Sequence, residues 1–228
     1  EIFAAAGHGS DGTTFSVGIS ENNFKGEGIK LSSNLELGTG SIKGKLALTT
    51  PNFAYSDRAL STSIESSSLD KLSDSGYKSS LNKASLGTSY EQFSDLYFSP
   101  NISISDETIE TDNTASASYK KQEGSYFDTI FGYGLSYDKR NSPYQPSSGF
   151  ISSFSQSLPL VSKEGTIINS YRITNYSELA DNLLLTTGFL IKSANSIKDE
   201  DVRVSKRLYI PGSRLRGFKS GKVGPKDG

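Results

Sequence analysis

The chain contains no cysteine, no methionine, no tryptophan and one histidine, His8, in 228 residues. Without thiols, disulfides, thiolate nucleophiles and Cys-ligated metals are excluded. With a single imidazole, a histidine-based metal centre has no second ring nitrogen to use. An excess of charge of either sign is also missing, because 24 Lys plus Arg face 25 Asp plus Glu for a formal net charge of −1. That balance offers no general attraction for nucleic acid. The purest apolar runs are Phe3-Ala4-Ala5-Ala6 and Leu183-Leu184-Leu185, far short of the roughly 18 consecutive apolar residues of a membrane helix. There is no G-x-S-x-G elbow, and neither Gly7-His8-Gly9 nor Gly38-Thr39-Gly40 opens a helix, so acyl-transfer and phosphate-loop chemistry have no sequence support. Position 1 is Glu rather than Met, with no basic-then-apolar leader behind it; the chain reads as an internal piece of something longer.

What is present is aromatic and glycine-rich: 12 Tyr, 12 Phe and 22 Gly. Disordered chains are poor in aromatics, so this one is expected to fold. Helical periodicity is almost absent, whereas period-2 alternation returns again and again. Phe127, Thr129, Phe131, Tyr133, Leu135 and Tyr137 share one parity, while Asp128, Ile130, Gly132, Gly134, Ser136 and Asp138 share the other. Phe15, Val17 and Ile19, then Leu31, Leu35 and Leu37, then Ile42, Leu46 and Leu48, repeat the pattern early in the chain. Phe150, Phe154 and Leu158, then Ile167, Tyr171 and Ile173, then Leu183, Leu185, Phe189 and Ile191, repeat it late. Turn signals such as Asn141-Ser142-Pro143, Lys163-Glu164-Gly165 and Asp181-Asn182 separate the runs. The reading is all-β, antiparallel, about eleven strands in one domain over residues 1–228. Asp70, Asp74, Asp106, Glu107, Glu110 and Asp112 fall in Ser-rich stretches and are expected in solvated outer loops.

Two architectures share this pattern. A soluble sandwich buries its apolar faces between two sheets; an outer-membrane barrel turns them to lipid, gathers aromatics at the interfaces and keeps a polar, Gly-rich lumen. Backbone groups in lipid must be paired within the protein, so strands that span must close into a ring. Long strands and a Ser, Gly and Thr-rich second face favour the barrel.

Two segments carry more specific information. Asp138-Lys139-Arg140-Asn141-Ser142-Pro143-Tyr144-Gln145-Pro146-Ser147-Ser148-Gly149 resembles the D-x-R-(D/N)-x-x-(F/Y)-x-P-(T/S)-x-G strand-turn-strand signature of the BamA family of outer-membrane assembly proteins. Leu215-Arg216-Gly217-Phe218, followed by Gly224-Pro225-Lys226, resembles that family's (V/I/L)-R-G-F loop motif and trailing G-P-(K/R). Asn22-Asn23-Phe24-Lys25-Gly26-Glu27-Gly28 and Thr49-Thr50-Pro51-Asn52-Phe53 look like two further family segments. The resemblance covers essentially the whole chain.

The resemblance implies a partial transmembrane barrel, about eleven strands of an expected sixteen, ending within the long R-G-F loop and lacking the periplasmic POTRA modules. It implies a Gram-negative outer-membrane protein that is not an enzyme, uses no cofactor or metal, and inserts client barrels. Its partners would be outer-membrane lipids, unfolded client proteins and accessory lipoproteins. Arg216, Gly217 and Phe218 would lock an inward-folded loop, Arg216 pairing with a lumen-wall acid on strands beyond Gly228. A guanidinium suits that task because it is permanently charged and grips a carboxylate through two hydrogen bonds. The first strand, Ile2, Phe3, Ala4, Ala5, Ala6, Gly7, His8 and Gly9, would form the weak seam that accepts a client strand. Asp138, Arg140, Asn141, Pro146 and Gly149 read as architecture, a turn fixed by local charge pairing and by Asn and Pro. Two other functions fit the residues: a two-partner-secretion transporter, which shares the R-G-F loop, and a soluble β-sandwich adhesin or glycan-binding module.

Overall fold

The computed structural model describes residues 1–9, 12–198 and 200–210. Eleven strands form one antiparallel sheet in strictly sequential order. They are β1 (Ile2–Gly9), β2 (Gly12–Phe24), β3 (Ile29–Gly38), β4 (Ser41–Thr50), β5 (Ala59–Lys71), β6 (Tyr77–Phe93), β7 (Leu96–Thr111), β8 (Gly124–Asp138), β9 (Gly149–Val161), β10 (Thr166–Ala180) and β11 (Leu183–Ser196). Two single-turn helices, α1 (Leu72–Ser75) and α2 (Ala117–Lys120), sit in the connections that follow β5 and β7. Among the described residues no helix is long and apolar enough to cross a membrane.

Register assigns every strand residue to one of two faces, because side chains alternate and a one-residue slip would exchange them. On one face lie Phe15, Val17, Leu35, Ile42, Ile64, Ile102, Ile104, Phe127, Leu185, Phe189 and Ile191, all substantially exposed. On the other face Ser79, Ser103, Ser105, Glu107, Tyr126 and Asp128 are buried beneath residues 202–207, which follow β11. A soluble domain of this size would not leave so many contiguous apolar side chains uncovered. With one sheet described and its apolar side bare, the sandwich alternative fails. The architecture is an unclosed stretch of an outer-membrane-type barrel, apolar outside and polar inside.

Cross-strand rows are staggered relative to the apolar band. One row passes through Ala4, Val17 and Leu35, then Gly44, and reaches Ser66, Asn82 and Asp106. It therefore leaves the apolar band as it crosses the sheet, as expected where strands tilt about 35–45° to a barrel axis. The outer ends of β5, β6 and β7 project past the band, which is why both their faces are polar. Asp70 accordingly lies in β5, and Asp106, Glu107 and Glu110 in β7, rather than in loops, and Glu107 is buried.

β1 carries little packing. Its one large inward side chain, Phe3, lies across Gly18 of β2, so that a Cβ added at Gly18 would stand 2.3 Å from the ring. The aromatic covers a position that has no side chain of its own. Gly18→Val is expected to expel Phe3 and loosen β1 selectively; faster amide exchange in β1, with exchange in β6 and β7 unchanged, is the measurement that checks it.

Candidate functional site: an arginine-centred loop lock and an open first strand

The segment after β11 returns to the sheet and inserts one side chain. Arg203 is extended (φ −51°, ψ 138°) and a 3₁₀ turn, Val204–Lys206, follows it. Residues three apart in a 3₁₀ turn project to the same side, and so Arg203 and Lys206 reach the inner face together. Arg203 has no exposed surface. Its Nη1 donates to Glu107 of β7 at 2.9 Å and to Asp128 of β8 at 3.0 Å, and its Nε donates to Glu164, in the β9–β10 connection, at 2.9 Å. The guanidinium also stacks on Tyr126, 3.8 Å from the ring centroid.

Two of the three acids receive further donors. Ser79 and Ser205 donate to Glu107 at 2.8 and 2.9 Å, while Ser162 and Lys206 donate to Asp128 at 2.6 and 2.7 Å. Backbone is tied in as well, since the Val204 N–H donates to Gln122 Oε1 at 2.7 Å and the Tyr126 hydroxyl to the Gln122 carbonyl at 2.7 Å. Val204 packs with Tyr77, Ile109 and Tyr126 in a small apolar cluster beside the ions. Burial works against the Arg203 charge, but its hydrogen bonds to Glu107 and Asp128 and the field of Asp128 and Glu164 outweigh it and hold the guanidinium above its ordinary pKa. Satisfied in this way, the buried charges bind four stretches of chain into one unit: β7, β8, the β9–β10 connection and residues 202–207.

Arg216, Gly217 and Phe218 lie outside the described residues. What the structure adds is that the segment leading toward them is fixed by a different arginine, on acids within this chain. Asp128 occupies the polar parity of β8, which marks it as inward-facing in the sequence alone. Arg203 has no comparable signal, being one cation in a stretch rich in Lys and Arg.

Ile2 to Gly9 form β1, paired only to β2 among the described residues. The phase of that pairing is set at Glu1, whose amino group donates to the Ser20 carbonyl at 2.7 Å and whose carbonyl accepts from the Ser20 N–H at 2.8 Å. Hydrogen-bonded and non-hydrogen-bonded pairs alternate in an antiparallel ladder. Phe3, Ala5 and Gly7 therefore bond to β2, and Ile2, Ala4, Ala6 and His8 turn their N–H and C=O groups away from β2. The Thr13 carbonyl agrees with this phase, because it accepts from Thr39 of the β3–β4 connection rather than from β1. Ala4 and Ala6 add almost no bulk, and beside them Phe15, Val17, Leu35 and Leu37 line a shallow apolar groove.

At the opposite end of the barrel Arg140 grips Asp138 through Nε at 2.8 Å and Nη2 at 2.6 Å. The Asn141 side chain accepts from the Ser147 and Ser148 N–H groups at 3.1 and 3.2 Å. Pro146 lies in the same connection, between β8 and β9. Gly149 has φ +91°, and an ideal Cβ there would stand 2.0 Å from the Lys139 carbonyl oxygen, so only glycine fits. Next to this turn, a hydrogen bond from Lys139 holds the Asp95 carboxyl below its usual range, joining the β8–β9 and β6–β7 connections. Gly149→Ala is expected to cost well over 1 kcal/mol, read as a lower unfolding temperature with an unchanged Arg203 lock.

Comparison with known proteins follows from this geometry. The crystal structure of BamA from Haemophilus ducreyi lacking POTRA domains 1–3 superposes with a TM-score of 0.81 at 20% identity, over 98% of this chain and 46% of that one. CdiB from Acinetobacter baumannii superposes with a TM-score of 0.58 at 17% identity, over 96% of this chain and 42% of that one. The chain thus spans under half the length of either. No curated protein matches the sequence. The Omp85 superfamily domain matches residues 23–228, which takes in β3 to β11, nine of the eleven strands, and the whole segment after β11, and the chain therefore belongs to the Omp85 superfamily.

Proposed function

We propose that the chain is the leading part of the barrel of an outer-membrane assembly factor, which inserts client barrel proteins by pairing their strands with the free edge of β1. The observation that carries this reading is the phase of the β1–β2 ladder, which leaves the backbone groups of Ile2, Ala4, Ala6 and His8 directed away from β2. An edge of unpaired donors and acceptors templates a new strand by β-augmentation. In lipid the drive is strong, since no water competes for those groups. The reaction needs no nucleotide, metal or bond cleavage, because the client exchanges unpaired backbone for paired backbone. The Arg203 lock supports the same reading, since it keeps the far wall and the loop rigid while the β1 side opens. Outer-membrane lipids, unfolded barrel proteins and lipoprotein accessories are the partners this role requires.

Cysteines placed at Ala4, Ala6 and His8 in the full-length protein test the role against a client barrel stalled during insertion. Crosslinks at these three positions in preference to inward-facing positions of β6 and β7 are the expected result. A secreted chain crosslinking along the inner face, with none at β1, would instead assign the protein to transport.

A further inference from the structure

The outer wall of β8–β11 carries a polar row where lipid contact calls for apolar residues. Tyr133, Gln156, Asn169 and Ser193 are consecutive cross-strand partners, and they are linked by hydrogen bonds along the row. The Tyr133 hydroxyl donates to Gln156 Oε1 at 3.0 Å, Gln156 Nε2 donates to Asn169 Oδ1 at 2.6 Å, and Asn169 Nδ2 donates to Ser193 Oγ at 3.2 Å. All four are half-buried. Their parity is that of Phe131, Phe154, Phe189 and Ile191, the lipid-facing set. Apolar residues flank the row on both sides, with Phe131, Leu158 and Ile167 toward the loop end and Leu135, Phe154, Tyr171 and Ile191 toward the turn end.

The ladder satisfies only part of its own chemistry. Each amide nitrogen carries two N–H groups and spends one along the row, and the Ser193 hydroxyl still has its proton to give. A polar group left unpaired in hydrocarbon costs several kcal/mol by order of magnitude, so these donors need acceptors that an acyl chain cannot supply. The stagger of the sheet carries the row toward the loop end as it runs from β8 to β11, so that it slants from the mid-wall to the loop-side interface. That interface holds acceptors in quantity, the ester and phosphate oxygens of lipid head groups.

We propose that the Gln156–Asn169–Ser193 ladder is a lipid head-group site on the outer wall, drawing the polar surface of the loop-side leaflet down over β9, β10 and β11. It lies on the far side of the sheet from β1 and does not depend on client pairing. The wall facing lipid is sufficient.

Full-length protein in phosphatidylcholine vesicles, at high lipid-to-protein ratio, tests this directly. These 228 residues hold no cysteine, and in a full-length background with any cysteine elsewhere replaced by serine, Ile191→Cys and Ile102→Cys each place one nitroxide on the outer wall, beside the ladder and amid apolar neighbours respectively. Relaxation of the label by a lipid bearing a paramagnetic head group is expected to be several-fold stronger at position 191 than at 102. Replacement of the row by Gln156→Leu, Asn169→Leu and Ser193→Val should abolish the difference. Equal relaxation at the two positions overturns the proposal. So does a difference that survives the triple replacement, or relaxation by a water-soluble agent without any from the lipid. Dipolar broadening between labels would mean that a second copy covers the row, which also overturns it. The comparison of 191 with 102 in the unsubstituted ladder stands even if the triple variant does not fold.

Discussion

Arg203→Met in the full-length protein is expected to release the segment after β11 from the barrel wall and to lower stability by about 3–5 kcal/mol, the usual result of removing one partner from a buried ion cluster. Methionine keeps much of the side-chain length and apolar contact with Tyr126, so the loss isolates charge rather than packing. Three carboxylates would remain, on Glu107, Asp128 and Glu164, and among the described residues Lys206, at Asp128, is the only cation left in contact with them. Among the described residues Glu107 and Glu164 would then be buried carboxylates without a counter-ion. Water must enter, or the segment must lift off to hydrate them. Protease susceptibility across residues 197–210 measures the release, and the unfolding midpoint measures the cost. A second variant separates lock from fold: Arg203→Met combined with Glu107→Gln and Glu164→Gln should recover part of the stability, because it removes the stranded charges, while leaving the segment cleavable. Full protection of the segment in Arg203→Met would show that other contacts hold it.

The same cluster shows where sequence reading stops. Strands β2 to β4 and β8 to β11 are legible because their outer faces meet lipid and their inner faces do not, so that polarity alternates, whereas β1, with Ala4, Ala5, Ala6 and Gly7 at its centre, is placed by the family resemblance alone. β5 to β7 are not legible by that rule. Where they project beyond the apolar band both faces meet water, and Ser66, Ser67 and Ser68 or Asp106, Glu107 and Thr108 read as a loop although each set is mid-strand. Glu107 is the consequence: its neighbours in sequence suggest a solvated acid, and its parity places it under Arg203. The turn residues Asp138, Arg140, Asn141 and Gly149 are local in sequence and were open to inspection, since each of their contacts lies within about a turn's length of chain. The Arg203 contacts span 39, 75 and 96 residues, and nothing local distinguishes Arg203 from Lys206 or Arg207. Long-range charge pairing is decided by how strands stack in the sheet, which composition does not encode.

Ala4→Pro and Ala6→Pro are expected to disable client pairing while leaving β1 docked on β2. Proline removes an N–H, and in a sheet it is tolerated where that N–H faces away from the neighbouring strand. The ladder phase puts Ala4 and Ala6 in that position, whereas the Ala5 N–H bonds to β2. Ala5→Pro is therefore the contrasting variant: it should weaken β1–β2 pairing itself and raise amide exchange along β1. Each lost client hydrogen bond is worth about 1 kcal/mol in water, and more within the bilayer, where no solvent replaces it. Two together should reduce the rate of client insertion by more than about tenfold, since about 1.4 kcal/mol corresponds to each factor of ten. The measurement is insertion of a client barrel into vesicles containing the full-length protein, with amide exchange in β1 as the internal control. Insertion at the original rate in the Ala4→Pro, Ala6→Pro double variant, with β1 still protected, would remove the free edge from the mechanism. Loss of insertion in Ala5→Pro alone would instead make the integrity of β1 the requirement, because only that substitution cuts the bonds to β2.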